Sequence, residues 1–160
     1  GELMRERGRL TPLTMNRLAR QKPVLHETNC SSFSAVIPAS QNDVFTCAYV
    51  AVSHAADTVY VPLYLGVTAT PAVLVNGSLS RLSATASGGD GLETRARASG
   101  VDVGAFEARM EADRQELEVQ ARSVYHSHGR DAAAETLTQG CLGFARQAYD
   151  MLTAVEQRHG

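Results

Sequence analysis

The densest group of chemistry-bearing side chains in the sequence is "HETNCSSFSAVI", His26 to Ile37. It sets a thiol beside a histidine, a carboxylate, an amide and four hydroxyls, two of them directly after the thiol. A thiol with an imidazole base and an orienting amide can form and break a covalent acyl intermediate. Cys30 is therefore the candidate nucleophile, with Asn29 and Ser31 as its neighbours. A cut between Asn29 and Cys30 would add a second route. It would free an α-amine of pKa roughly 8, able to act as the base. Two considerations weigh against both routes. Polar residues open many strands because strand ends are wet, and catalytic groups usually converge from distant segments.

Other groups carry less chemistry. "HSH", His126 to His128, closes a helical segment. Residues two apart do not share a helix face, so the pair suits helix-end capping better than metal binding. His54 follows an apolar run and reads as a surface histidine or as a cleft residue at a strand end. "SGGDG" lacks the lysine and the strand–turn–helix setting of a phosphate loop. Glu107, Glu111, Arg114 and Glu118 read as a solvated helix face with some i,i+4 pairs. The three cysteines, Cys30, Cys47 and Cys141, are too irregularly spaced for a disulfide framework or a zinc ribbon, and read as buried thiols. No metal and no cofactor is expected.

The segment "DTVYVPLYLGVTATP", Asp57 to Pro71, poses a separate question. Pro62 argues against the interior of a central strand. With Gly66 and Pro71 it divides the segment into an extended piece and a turn. Tyr60 and Tyr64 each bring an apolar ring and a hydroxyl that needs a partner. They either close a sheet edge or line a cleft.

These groups must be positioned by two unlike halves. Residues 1–85 hold β-branched and aromatic runs with turn signals, giving one helix and several strands. Thr11, Pro12 and Pro23 mark the start and stop of the helix, with Leu13, Met15 and Leu18 facing inward. "SFSAVIP" and "VFTCAYVAV" read as a strand pair joined through "ASQND". The second strand is apolar on both faces, which implies cover on both sides. Residues 86–104, Gly-rich and polar, read as a loop. Residues 105–158 read as an antiparallel helical hairpin. Phe106, Met110, Leu117, Ala121, Val124, Tyr125 and His128 form one stripe. Leu137, Cys141, Phe144, Ala148, Met151, Leu152 and Val155 form the other, and Gly129 ends the first helix. Two or three strands are few for a sheet covered on both sides.

The 160 residues suffice for one domain burying roughly 70% of its unfolded surface. With 15 basic and 17 acidic side chains the chain lacks the basic excess of a nucleic-acid binder. No run reaches the roughly 18 apolar residues of a membrane span. "GELMRERGRL" has no apolar signal-peptide core, which leaves the compartment open and favours a soluble, cytoplasmic protein.

"VFTCAYVAVSHAADTVYVPLYLGVTATP" resembles the C-terminal part of the dipeptidase A family of N-terminal-nucleophile hydrolases. "EARMEADRQELEVQARSVY" and "AAETLTQGCLGFARQAYDML" are similar to that family's closing helices. The likeness spans roughly residues 10–155 and is most specific over "YVPLYLGV", Tyr60 to Val67. It implies an α+β fold that is part of a four-layer αββα sandwich. It also implies amide-bond hydrolysis by an N-terminal cysteine whose own α-amine is the base. Here residue 1 is Gly, no cysteine precedes Cys30, and "SHAAD" replaces the family's Gly-Pro turn. Residues 1–160 then form a single domain or a C-terminal subunit, whose nucleophile lies on a second polypeptide or outside this chain. Asn29, Ser31, Tyr60 and Tyr64, with Pro62 and Gly66 nearby, would border a cleft for a peptide or acyl-amide substrate. Changing Tyr64 to Phe would then alter turnover and leave the fold almost unchanged. Two alternatives remain open: a non-catalytic module docking or self-associating through its helical hairpin, and a self-processed enzyme using Cys30.

Overall fold

A computed structural model describes residues 10–21, 31–38 and 43–159. Among these the chain is α+β, with six helices and one three-stranded antiparallel sheet. Helix α1, Pro12–Ala19, begins as its sequence dictates: Pro12 takes the first turn, and the Thr11 side chain accepts the Thr14 N–H. It buries Asn16 and Leu18, while Met15 stays exposed. Strands β1 (Ser32–Val36), β2 (Cys47–Ala51) and β3 (Val61–Tyr64) pair in the order β1-β2-β3. The register sets Phe33 opposite Val50 and Cys47 opposite Tyr64. Val44 and Phe45, expected in the return strand, belong to a 3-10 turn, Asp43–Phe45.

Pro62 sits in an edge strand, where its ring is tolerated. The Leu65 N–H reaches the Thr46 carbonyl across the β2–β3 ladder. The Tyr60 and Tyr64 N–H groups point the other way, to the Glu107 carboxylate and the Cys141 sulfur. Alternate residues of a strand share a side, so the missing N–H of Pro62 falls on the outward side. That edge of the sheet is sealed by helix side chains and a proline.

Short helix α2, Ala72–Val75, follows Pro71. Helices α3 (Ser78–Ser87) and α4 (Leu92–Ala98) then occupy much of what the sequence presents as β-half tail and loop. The expected loop over 86–104 is thus corrected: only its glycine-rich turn, with Gly88, Gly89 and Gly91 at positive φ, and the turn at Gly100 are irregular in that way. Serine and threonine do not advertise helix, yet in α3 their hydroxyls bond back within the helix. Ser83 donates to the Leu79 carbonyl and Ser87 to that of Ala84. Leu79, Ser83 and Ala86 form the buried stripe that holds α3, and packing overrides weak propensity.

Helices α5 (Val103–His128) and α6 (Arg130–Gln157) make the expected hairpin, joined through Gly129 at φ 87°. All seven stripe residues of α6 are buried. On α5, Phe106, Met110 and Ala121 are buried, while His128 is exposed. Two cores result. One joins α3, α4 and the hairpin around Leu79, Phe106, Phe144 and Leu152. The other lies between the sheet's inner face and the hairpin, around Tyr49, Tyr64, Ala121, Leu137 and Cys141.

The sheet's two faces differ. On β2, Cys47, Tyr49 and Ala51 are buried toward the helices, whereas Ala48 and Val50 are half-buried. On the same outer face Phe33 is 77% exposed, and Leu65, just beyond β3, is 65% exposed. Among the described residues the two-sided cover expected for this sheet is therefore fuller on its helical side, where Val36 alone of the strand residues stays exposed.

Gly66 is fixed by close approach. A Cβ there would lie 2.6 Å from Val44 Cα, a backbone atom that cannot step aside. Gly66→Ala is expected to destabilise the fold by about 1–3 kcal/mol, as other overpacking changes do. Urea unfolding followed by circular dichroism measures it; an unchanged midpoint would show that the 3-10 turn yields freely.

Candidate functional site

Glu107, Glu111, Arg114 and Glu118 recur at steps of four, three and four along α5, which places them on one stripe. They are not the solvated face that their charge suggests. Glu107, Glu111 and Arg114 are each more than nine-tenths buried. The neighbouring stripe of Phe106, Met110, Leu117 and Ala121 is apolar, so α5 is wedged with partners on both sides. The charged stripe meets three tyrosines of the β segment and one arginine of the α1 segment.

At one end, Arg20 makes a bidentate pair with Glu107 at 2.6 and 2.8 Å. It also donates to the carbonyls of Ala55 and Thr58 and lies over the Tyr60 ring, 4.9 Å from its centre. Glu107 accepts the Tyr60 N–H as well. At the middle, Glu111 accepts from the Tyr49 hydroxyl, from both Nε and Nη2 of Arg114, and from Gln115. Arg114 further donates to the Tyr64 hydroxyl at 2.8 Å and to Glu118. The Tyr64 hydroxyl in turn donates a hydrogen bond to Glu118 at 3.0 Å. Arg122 completes Glu118 and stacks on Phe45, 4.2 Å from the ring centre.

Burial opposes ionisation of Glu111 and Glu118. The hydrogen bonds outweigh it, those from Arg114, Tyr49 and Gln115 on Glu111 and those from Arg122, Arg114 and Tyr64 on Glu118. Both carboxyls are held below the usual range. Burial moves the Tyr49 and Tyr64 hydroxyls upward, Tyr49 further through its bond to Glu111, so both stay protonated as donors.

The candidate residues fall as follows. Tyr60 and Tyr64 are buried, and their hydroxyls are committed to protein: Tyr60 donates to Ser32 Oγ at 2.9 Å and Tyr64 to Glu118. The hydroxyl of Tyr64 is thus part of the fold's interior network, which corrects the expectation that Tyr64→Phe would leave the fold almost unchanged. Ser31 is exposed just before β1. His26, Asn29 and Cys30 lie outside the described residues. Cys47 and Cys141 are free and buried. Burial pushes their thiols up to about 12 and about 11, far from the thiolate form a nucleophile needs.

His126 and His128 end α5 as expected, both exposed, with the Gly129 N–H closing on the Tyr125 carbonyl. Among the described residues no three His, Cys, Asp or Glu side chains converge for a metal. Among the described residues two serine–histidine pairs occur: Ser127 Oγ lies 2.7 Å from His128 Nδ1 at the exposed end of α5, and Ser99 Oγ lies 2.9 Å from His159 Nε2. The His159 nitrogen also faces the Arg95 carbonyl at 2.9 Å, which can only accept. Nε2 therefore carries the proton, and Ser99 donates to Arg95 as well. The Ser99–His159 pair is a C-terminal latch and not a nucleophile with its base.

Fold and site together define an α+β domain organised on a buried tyrosine–carboxylate–arginine lattice. No protein-family model, no curated protein and no solved structure matches the chain. No helix among the described residues is long and apolar enough to cross a membrane. The sequence held one overlooked signal for the lattice: three tyrosines needing partners, set against acidic residues that repeat on one helical stripe.

Two predictions follow from the lattice chemistry. Glu111 and Glu118 have folded pKa values below their unfolded ones. Their contribution is thus full above the ordinary glutamate value of about 4.3 and is lost as pH falls through the depressed folded values. The urea midpoint is expected to stay level from neutrality to about that pH and then to drop, less steeply in Glu118→Gln. Tyr64→Phe is expected to cost about 1.5–3 kcal/mol, because it strips a charge-assisted partner from both Arg114 and Glu118. The same urea titration at neutral pH reads that loss.

Thiol titration offers a third check. Of the three cysteines, at most Cys30 should react with Ellman's reagent in the folded chain, and all three in urea. A fast second equivalent would contradict the burial of Cys47 and Cys141.

Proposed function

We propose that this chain is the sheet-and-hairpin portion of a cysteine-nucleophile amide-bond hydrolase of the dipeptidase A kind. In that reading the nucleophile belongs to a second polypeptide, or to a segment outside the chain, and the substrate is a peptide or acyl-amide. The whole enzyme would be a four-layer αββα sandwich, to which this chain gives one sheet and its outer helices.

One observation carries the reading. The inner face of the sheet is largely covered by helices, Val36 apart, while its outer face is apolar and incompletely covered. Phe33 and Leu65 are largely exposed, Ala35 is exposed, and Ala48, Val50 and Leu63 are half-buried. None of these side chains is charged. A second apolar sheet roughly 10 Å away is the partner such a face takes. The sequence likeness over "YVPLYLGV" supports the same reading, because it maps to β3 and its turn.

A second reading, a non-catalytic module docking through the hairpin, rests on Leu142 and Tyr149. They lie seven apart on α6, and each is 37% exposed. The isolated chain is expected to cleave no dipeptide. Co-expression with a polypeptide opening on an N-terminal cysteine should yield a complex whose peptidase activity iodoacetamide abolishes. Phe33→Asp should break that complex. Peptidase activity from the isolated chain, untouched by iodoacetamide, would overturn the proposal. Capture of the partner lost in Tyr149→Asp and kept in Phe33→Asp would favour the docking module.

A further inference from the structure

Arg20 is held as a ligand is held. Four of its five N–H groups are bonded: Nε to the Ala55 carbonyl at 2.9 Å, Nη2 to that of Thr58 at 2.9 Å, and Nη1 and Nη2 to the two Glu107 oxygens. The Tyr60 ring supplies an aromatic face. Carboxylate, two carbonyls and a ring form a planar fork's full complement, and an ammonium would match it poorly.

The walls of this socket come from segments other than α1. Ala55, Thr58, Tyr60 and Glu107 are all buried and come from the β2–β3 connection and from α5. Thr58 is fixed by the Ser83 hydroxyl at 2.8 Å, Tyr60 by Ser32, and Glu107 by the Tyr60 N–H. The α1 helix, by contrast, buries only Asn16 and Leu18. Arg20 also lines two clefts, of about 420 and 230 Å³, which Glu93 and Arg17 both border. The smaller cleft reaches Glu107 itself, and both bring a further carboxylate, Glu93, to the side chain that fills the socket.

We propose that the socket of Glu107, the Ala55 and Thr58 carbonyls and Tyr60 is a binding site for an arginyl side chain of a peptide, which Arg20 occupies as a built-in ligand. The peptide backbone lies in the flanking clefts beside Glu93. Release of Arg20 frees the site and lifts the end of α1. This inference goes beyond the hydrolase reading and stands without it, since it concerns binding alone.

The test uses the chain carrying Arg20→Ala and the probe N-acetyl-arginine amide at matched ionic strength. Saturable chemical-shift changes at the Tyr60 amide are expected. Affinity should be roughly tenfold or more weaker in the wild type, where Arg20 competes at an effective concentration on the order of millimolar. N-acetyl-lysine amide should bind far less, and adding Glu107→Gln should abolish binding. A folded Arg20→Ala chain that shows no saturable shift, or that takes the lysine probe equally well, overturns the proposal. If Arg20→Ala does not fold, hydrogen exchange of the α1 amides in the wild type decides. The arginine probe at about tens of millimolar should speed it where the lysine probe does not; equal exchange with both overturns the proposal.

Discussion

A charged stripe can be buried only if every charge on it is answered, and α5 depends on that constraint. Its two adjacent stripes face different neighbours, the apolar one meeting α6 and the first core, the charged one meeting the sheet. Glu107, Glu111, Arg114 and Glu118 would each be costly to desolvate alone. Tyrosine is the side chain that resolves this, since it gives the sheet an apolar body and a donor at its tip. Tyr49 and Tyr64 reach across to Glu111, Arg114 and Glu118, while Tyr60 contributes its N–H to Glu107 and its ring to Arg20. No buried side-chain polar atom among the described residues is left without a partner. That completeness fixes register, because a slip of one residue in β3 would carry Tyr64 to the other face of the sheet.

The same lattice accounts for the uneven legibility of the sequence. The α6 stripe was fully readable because all its members are apolar and periodic. The α1 cap was readable because Thr11 and Pro12 act locally. The carboxylate stripe of α5 was not, because charge at helical spacing normally means solvent. Its partners lie 47 to 62 residues away for Tyr60 and Tyr49, and no local rule reports them. Helices α3 and α4 were missed for a related reason. Their serines, threonines and small apolar residues signal turns until Leu79, Leu92 and Ala96 find their places in the first core.

The candidate site was legible in outline only. Tyr60 and Tyr64 were singled out correctly as hydroxyls that need partners, and the structure supplies those partners from Ser32, Glu118 and Arg114. The arginine that completes the picture, Arg20, drew no notice as a lone basic residue at a helix end. Its significance is a matter of geometry, since its partners come from two segments far from it in sequence. The thiols illustrate the converse. Cys47 and Cys141 read from the sequence as small core residues, and both are buried.

The sealed edge at β3 has a consequence for assembly. A sheet recruits further strands only where a row of backbone groups stands open, and here one of its two edges is closed by Pro62, Glu107 and Cys141. Among the described residues, strand addition is therefore confined to the β1 side. If two copies met there, each would use its single available border, and the joined sheet would present only closed ones. Such pairing terminates at two and cannot propagate into a fibre. A proline placed within a strand thus sets an upper bound on the stoichiometry of edge-to-edge association.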